Sequence, residues 1–275
     1  MKRKNIIIAL FSGSLLLTAC HDLDLNPLSY GSTESWYSNE TEIKMAVNEL
    51  YRNDFWPLDE DGNTDWSDDN IYRENLTEFQ NATLTGQTST VTTLWANQYK
   101  VISRANSVIL NAQRAIDNGA SESTINALVG EAHFHRASAY AKLSSKFGDV
   151  PLVENDIDIE AGMAMGRTDL ATVKQFVYDE YDQAIAVLPV SYSGEQRATK
   201  GAALALKARY ALYMGDYDIV ADATKQVMDL GIYSLHSNYQ DLFLQGTKTS
   251  DEFIYVVPRS IEFGVYIDTR SPLPR

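Results

Sequence analysis

The sequence predicts an all-α, mainly helical fold: an irregular helical solenoid with long loops and a few short β-prone pieces. Three observations predict it. Apolar residues recur at spacings of three and four in most segments between residues 43 and 230, the period of an amphipathic helix. Gly or Pro interrupts that period wherever one stripe stops and another begins. β-prone composition is confined to Tyr233-Ser234-Leu235 and Phe253-Ile254-Tyr255-Val256-Val257.

The chain opens with a basic patch, Met1-Lys2-Arg3-Lys4-Asn5, followed by the apolar run Ile6 to Leu17. A spanning helix needs about 20 apolar residues, so this run reads as a secretion signal over 1–19, to be removed. Leu17-Thr18-Ala19-Cys20 resembles a bacterial lipobox, which makes Cys20 the expected lipid-attachment residue. It is the single cysteine of the 275 residues, so no intrachain disulfide competes for its thiol. One acyl chain binds membranes only reversibly, whereas two or three anchor stably. Residues 20–38, with Pro27 keeping them extended, read as a lipid-anchored tether.

The helical domain is expected over 39–250. Asn39 followed by Glu42 is a capping arrangement, and Ile43, Ala46, Val47, Leu50 and Tyr51 form the first stripe. From Asn53 to Thr93 the period fades into an Asp-, Asn- and Thr-rich stretch, more often a binding loop than a plain connection at such length. It returns at Trp95, Tyr99, Ile102, Ala105, Ile109, Ala112 and Ile116, a helix of about six turns stopping near Asn118-Gly119. Ser121 or Ser123 caps the next helix, with Ile125, Leu128, Ala132, His135, Ala139 and Leu143 on one face and a stop at Gly148 and Pro151. A loop runs through Met165 to a cap at Thr168 or Asp169, then a helix carrying Val173, Val177, Tyr181, Ala184 and Leu188 ends at Pro189. Two further helices are joined at Gly215-Asp216. Ala208, Ala211, the turn Gly215-Asp216-Tyr217 and Ala221 as the small residue opposite resemble the tetratricopeptide unit, whose paired helices bury their faces only by stacking. The Ala137–Phe147 helix resembles it more distantly.

Several stretches together resemble the amino-terminal half of the SusD/RagB family of nutrient-uptake lipoproteins of the Bacteroidota. They are Cys20 with Leu23-Asp24-Leu25-Asn26-Pro27; Trp95, Tyr99, Ile102 and Ala105-Asn106; Gly130-Glu131-Ala132, Phe134, Arg136-Ala137, Tyr140, Leu143 and Phe147 to Leu152; and Ala198 to Arg209 with Leu212-Tyr213 and Gly215-Asp216-Tyr217. The resemblance implies a cell-surface protein on the outer membrane that captures oligosaccharide, in preference to peptide, and serves as lid of a SusC-like TonB-dependent transporter. Family members run to about twice this length, so residues 251–275 read as the start of a missing second half. Glu180-Tyr181 stands where the family pattern has Asp-Leu.

A sugar site needs aromatic platforms beside groups that both donate and accept hydrogen bonds. The loop 61–73 offers both: Trp66 and Tyr72 to stack, and Asp65, Asp69, Asn70 and Arg73 to hold hydroxyls. The same loop also reads as a solvated acidic segment with Trp66 tucked against a helix. Trp95 shares its stripe with Tyr99 and Ile102, which leaves a core role and a ligand platform both open. Asn106 is expected to bond backbone rather than sugar. His135 is expected as a hydrogen-bonded core residue, and Glu131 and Arg136 as an internal ion pair or helix-end anchors.

Other classes are excluded on chemistry. Asp59, Asp61, Asn63 and Asp65 alternate, but an EF-hand would need Gly where Thr64 stands and Glu where Asn70 stands. His133 and His135 point to different faces of one helix and do not share a metal. No metal and no cofactor is expected, and with no phosphate loop, zinc-protease helix or nucleophile elbow, no enzyme. Without residues 1–19 the net charge moves from −14 to −17, which disfavours nucleic acid and anionic lipid headgroups. A reading from another class remains open: a lipid-anchored tetratricopeptide-type adaptor for a protein partner.

Overall fold

The structure is a computed structural model and describes residues 36–56, 82–244 and 250–257. The chain divides into a leading unit, Met1–Trp36, and a second compact unit, Tyr37–Arg275. The described residues of the second unit are mainly helical. Cys20 and most of the tether lie outside the described residues, and so does most of the stretch read as a binding loop.

Helix α1 (Glu40–Asn48) starts where expected. Asn39 Oδ1 accepts from the Glu42 amide at 3.0 Å, and the Glu42 carboxylate reaches back to the amide and hydroxyl of Ser38 at 2.8 and 2.9 Å. A 3-10 turn, Glu49–Tyr51, continues it, and Ile43, Val47 and Leu50 are fully buried. Helix α2 (Ser89–Asp117) begins a turn and a half before Trp95. The hydroxyl of Thr88 accepts from the Thr85 amide at 3.0 Å and shapes the turn that starts it. Because its first turn buries nothing, no apolar period marks it.

Helix α3 (Glu122–Phe147) is capped by Ser121, not Ser123, and stops at Gly148 with φ +69°. It packs against α2 on one side and α5 (Leu170–Val187) on the other, and also touches α1 and α6 (Lys200–Met214). A helix with neighbours on so many sides cannot be amphipathic, and α3 buries residues around most of its circumference, from Ile125 and Leu128 to Phe134, Tyr140 and Leu143. Gly130 permits the close approach to α5: a Cβ there would lie 2.5 Å from Val187 Cγ2.

Between α3 and α5 the sequence reads as loop, yet it contains a short helix, α4 (Ile159–Ala164), capped by Asp158. This excursion is closed at its base by a two-way backbone bridge, Val150 to Thr168 and back at 3.2 and 3.0 Å. Asp169 then caps α5 through the Thr172 amide at 2.9 Å.

The pair α6 and α7 (Tyr217–Asp229) is the tetratricopeptide-like hairpin. Gly215 takes the left-handed conformation (φ +77°), and the Asp216 amide reaches Ala211 O at 2.9 Å, closing the helix end. The small residue facing α6 is Ala223 rather than Ala221. Ala223 is buried with Leu204 and Ala208 in a minor core, while Ala221 is exposed, since the stripe facing α6 runs through Val220, Ala223 and Val227. The main core runs from α1 to α6. The β-prone pieces form no strand among the described residues. One backbone bond, Ser234 N to Asp251 O at 3.3 Å, joins the first piece to the residues just before the second, too little for a ladder.

Candidate functional site

Of the residues picked for ligand contact, Asp65, Trp66, Asp69, Asn70, Tyr72 and Arg73 lie outside the described residues, as does the alternating Asp59–Asp65 run. Trp95 is described, and it sits between the two roles left open for it. Its ring is partly buried, 5.0 Å from Tyr99 and 5.1 Å from Phe147, the latter edge to face. Tyr99 is itself fixed, its hydroxyl donating to Pro151 O at 2.8 Å. Trp95 is thus a shelf held from behind by two rings at the first turns of α2, with exposed Thr92, Thr93 and Ala96 around it.

The stretch before residue 57 is pinned to the helices. Asn97 on α2 donates to Asp54 O at 3.1 Å, and Lys142 on α3 donates to Phe55 O at 3.0 Å. Trp56, which ends this stretch, is nearly buried. It stacks on Phe134 at 6.0 Å, meets Tyr255 edge-on at 5.3 Å, carries the Lys142 ammonium 3.9 Å above its ring and donates its indole N–H to His135 Nδ1 at 3.1 Å.

His135 is therefore the hydrogen-bonded core histidine expected. Nδ1 accepts, so the proton of the neutral ring is on Nε2, which has no hydrogen-bond partner among the described residues. Burial, followed by the nearby charges of Lys142 and Arg197, pushes its pKa well below 6.5.

Glu131 and Arg136 are internal, but they do not pair with each other. Glu131, fully buried, accepts from Arg197 Nε at 2.8 and 3.0 Å, from Tyr51 at 2.5 Å and from Tyr192 at 3.1 Å. Tyr51 in turn accepts from the Ala198 amide at 2.8 Å. Arg136 holds Glu180 on α5 through Nε at 2.6 Å and a terminal nitrogen at 2.7 Å, and gives its other nitrogen to Asn106 Oδ1 at 2.7 Å. Asn106 donates to Val153 O and Asn155 O at 3.0 and 3.3 Å, the backbone role expected of it. Burial raises the Glu180 carboxyl, but hydrogen bonds from His133 and Arg136 outweigh it and hold the group below its ordinary value. Each carboxylate is saturated by fixed donors and shut from solvent, so the pairs brace helices and offer no acid or base to a ligand. Arg197 was missed as a partner because it lies between helices, where no period marks it.

Among the described residues no cluster of three metal-ligating side chains occurs, and no helix is long and apolar enough to cross a membrane.

Comparison with known proteins bears on what such a scaffold carries. A family model of SusD-like proteins, described as starch-binding and associating with outer membrane, matches residues 24–212. A SusD-like protein of Formosa agariphila is 26% identical over 243 residues, 83% of this chain and 48% of its own. A crystal structure of a SusD-like carbohydrate binding protein from Bacteroides fragilis superposes with a TM-score of 0.71 at 27% identity, covering 80% of this chain and 46% of that one. A laminarin binding SusD-like protein shares the fold, with a TM-score of 0.67 at 23% identity over 80% of this chain and 51% of its own. The chain thus spans about half the length of the relatives it matches. The family match covers well over half of the chain and the helical architecture agrees with the solved structures: this protein belongs to the SusD-like family.

Proposed function

We propose that this protein is part of a cell-surface glycan-binding lipoprotein, anchored to the outer membrane through Cys20, that captures oligosaccharide and delivers it as a lid to a TonB-dependent transporter. The observation that carries the reading is the match over residues 24–212 to a family described as starch-binding, a span that includes Trp95 and the aromatic loop 61–73. In this reading Trp66 and Tyr72 stack on sugar rings, Asp65, Asp69, Asn70 and Arg73 hold hydroxyls, and Trp95 adds a half-open shelf. The electrostatics agree: at a net charge of −17 without residues 1–19, the anchored protein suits a neutral polysaccharide better than an anionic one.

Affinity electrophoresis against starch, laminarin and xyloglucan tests the reading. The expected result is retardation by at least one glucan, weakened roughly tenfold by Trp66→Ala and less by Trp95→Ala. Absence of retardation by any neutral polysaccharide overturns glycan capture. Co-purification from membranes tests the transporter half: a large β-barrel partner is expected, and its absence argues for the adaptor reading.

A further inference from the structure

The excursion between α3 and α5 ends in an apolar tip. Ile159 and Met163 are 83% and 84% exposed and stand four residues apart on α4, on one face. Ile157 lies against the same turn: a Cβ on Gly162 would be 3.5 Å from its Cδ1. Three large apolar side chains thus share a single turn and its approach, unlike the singly scattered exposed residues that need no explanation.

The base of this excursion is rigid. Besides the Val150–Thr168 bridge, Asn106 holds two of its carbonyls, Tyr140 accepts from the Val153 amide at 2.7 Å, Ser107 donates to Asp156 at 3.3 Å, and Asp149 takes the Leu170 amide at 2.8 Å. Helix α4 itself makes no extensive contact with any other helix among the described residues. A compact loop fixed at its neck and apolar at its tip is organised before any partner arrives, which lowers the ordering cost of binding.

Charge tells which partner fits. Glu154, Asp156, Asp158 and Glu160, all exposed, flank the apolar residues along the chain, and no Lys or Arg occurs between Lys146 and Arg167. Anionic lipid and nucleic acid are repelled by such a rim. A second copy would oppose like charges. We propose that residues 157–163 are a docking tip for a protein partner that presents an apolar groove rimmed by Lys and Arg, with Ile159 and Met163 as the inserted anchors. The tip does not depend on the glycan reading, since none of its residues belongs to the sugar-contact set.

Photo-crosslinking in cells that make the full chain tests this. p-Benzoylphenylalanine is placed at position 159 or 163, with position 228 as control, because Met228 is similarly exposed (78%) on α7, away from this loop. The expected result is one dominant protein adduct from 159 and 163, linked through an apolar peptide flanked by Lys or Arg, at a yield about tenfold above that from 228. The double variant Glu154→Lys with Glu160→Lys, at exposed positions, cuts the yield from 159 by about tenfold. Ile159→Ser does the same with the crosslinker at 163, a second readout at a solvent-facing site. Equal yield from 228, an adduct with lipid, polysaccharide or a second copy, insensitivity to charge reversal, or no adduct overturns the proposal.

Discussion

Arg136 and Glu180 lie face to face in the interior, each oxygen of the carboxylate taking one nitrogen of the guanidinium, at 2.6 and 2.7 Å. The pair joins α3 to α5, the most extensive helix contact among the described residues, and Asn106 ties it to α2.

Breaking that pair strands a buried charge. Glu180→Ala is expected to destabilise by about 3–5 kcal/mol, whereas Arg136→Met combined with Glu180→Leu restores most of the loss, because neither charge then needs a partner. Denaturant unfolding of the three variants checks both halves of the statement.

Acid acts through two groups in succession. His135 has a folded pKa well below 6.5, so from about 6.5 downwards the unfolded chain takes up a proton that the folded one refuses, and stability falls as pH falls. Glu180, held below its ordinary 4.5, adds a second loss beneath about pH 4.5. Melting temperature is expected to be flat with respect to His135 above about pH 7 and to decline between roughly pH 6.5 and 5, with a slope that His135→Asn reduces.

Trp56→Phe keeps the ring stack on Phe134 but removes the indole N–H. The His135 Nδ1 it served becomes a buried acceptor without a donor, at a cost of about 1–3 kcal/mol. Urea midpoints of this variant and of Trp56→Phe with His135→Leu separate the lost hydrogen bond from lost packing, the double variant being the more stable if the unpaired nitrogen is what costs.

Gly215→Ala forces a Cβ into the left-handed region at φ +77° and is expected to cost about 1 kcal/mol. Thermal unfolding reads it, and Ala221→Ser, on the exposed side of α7, is the neutral comparison.

What the sequence makes legible is local. The caps at Asn39, Ser121 and Asp169 announce themselves within three residues, and the stripes of α1, α2, α3 and α5 give most of the core. Pairing across helices is another matter. Glu131 and Arg136 sit five residues apart and invite each other, yet their partners are Arg197 and Glu180, chosen by how helices meet. Ala221 and Ala223 are equally small, and only docking on α6 selects between them. The first turns of α2 and the short α4 bury nothing, so they leave no period to read. As for the site, Trp95 is partly buried against Tyr99 and Phe147, and the six loop residues fall outside the described part.

Tyr51 accepts a hydrogen bond from the Ala198 amide while donating to Glu131, and so ties together three places far apart in sequence. Most helix contacts in this fold are between neighbours and can zip early, but this knot closes only once the first helix, the central helix and the approach to α6 have met. Exchange of that one amide proton with solvent therefore reads the opening of the knot. It reports on the docking of α1 from a position almost 150 residues away.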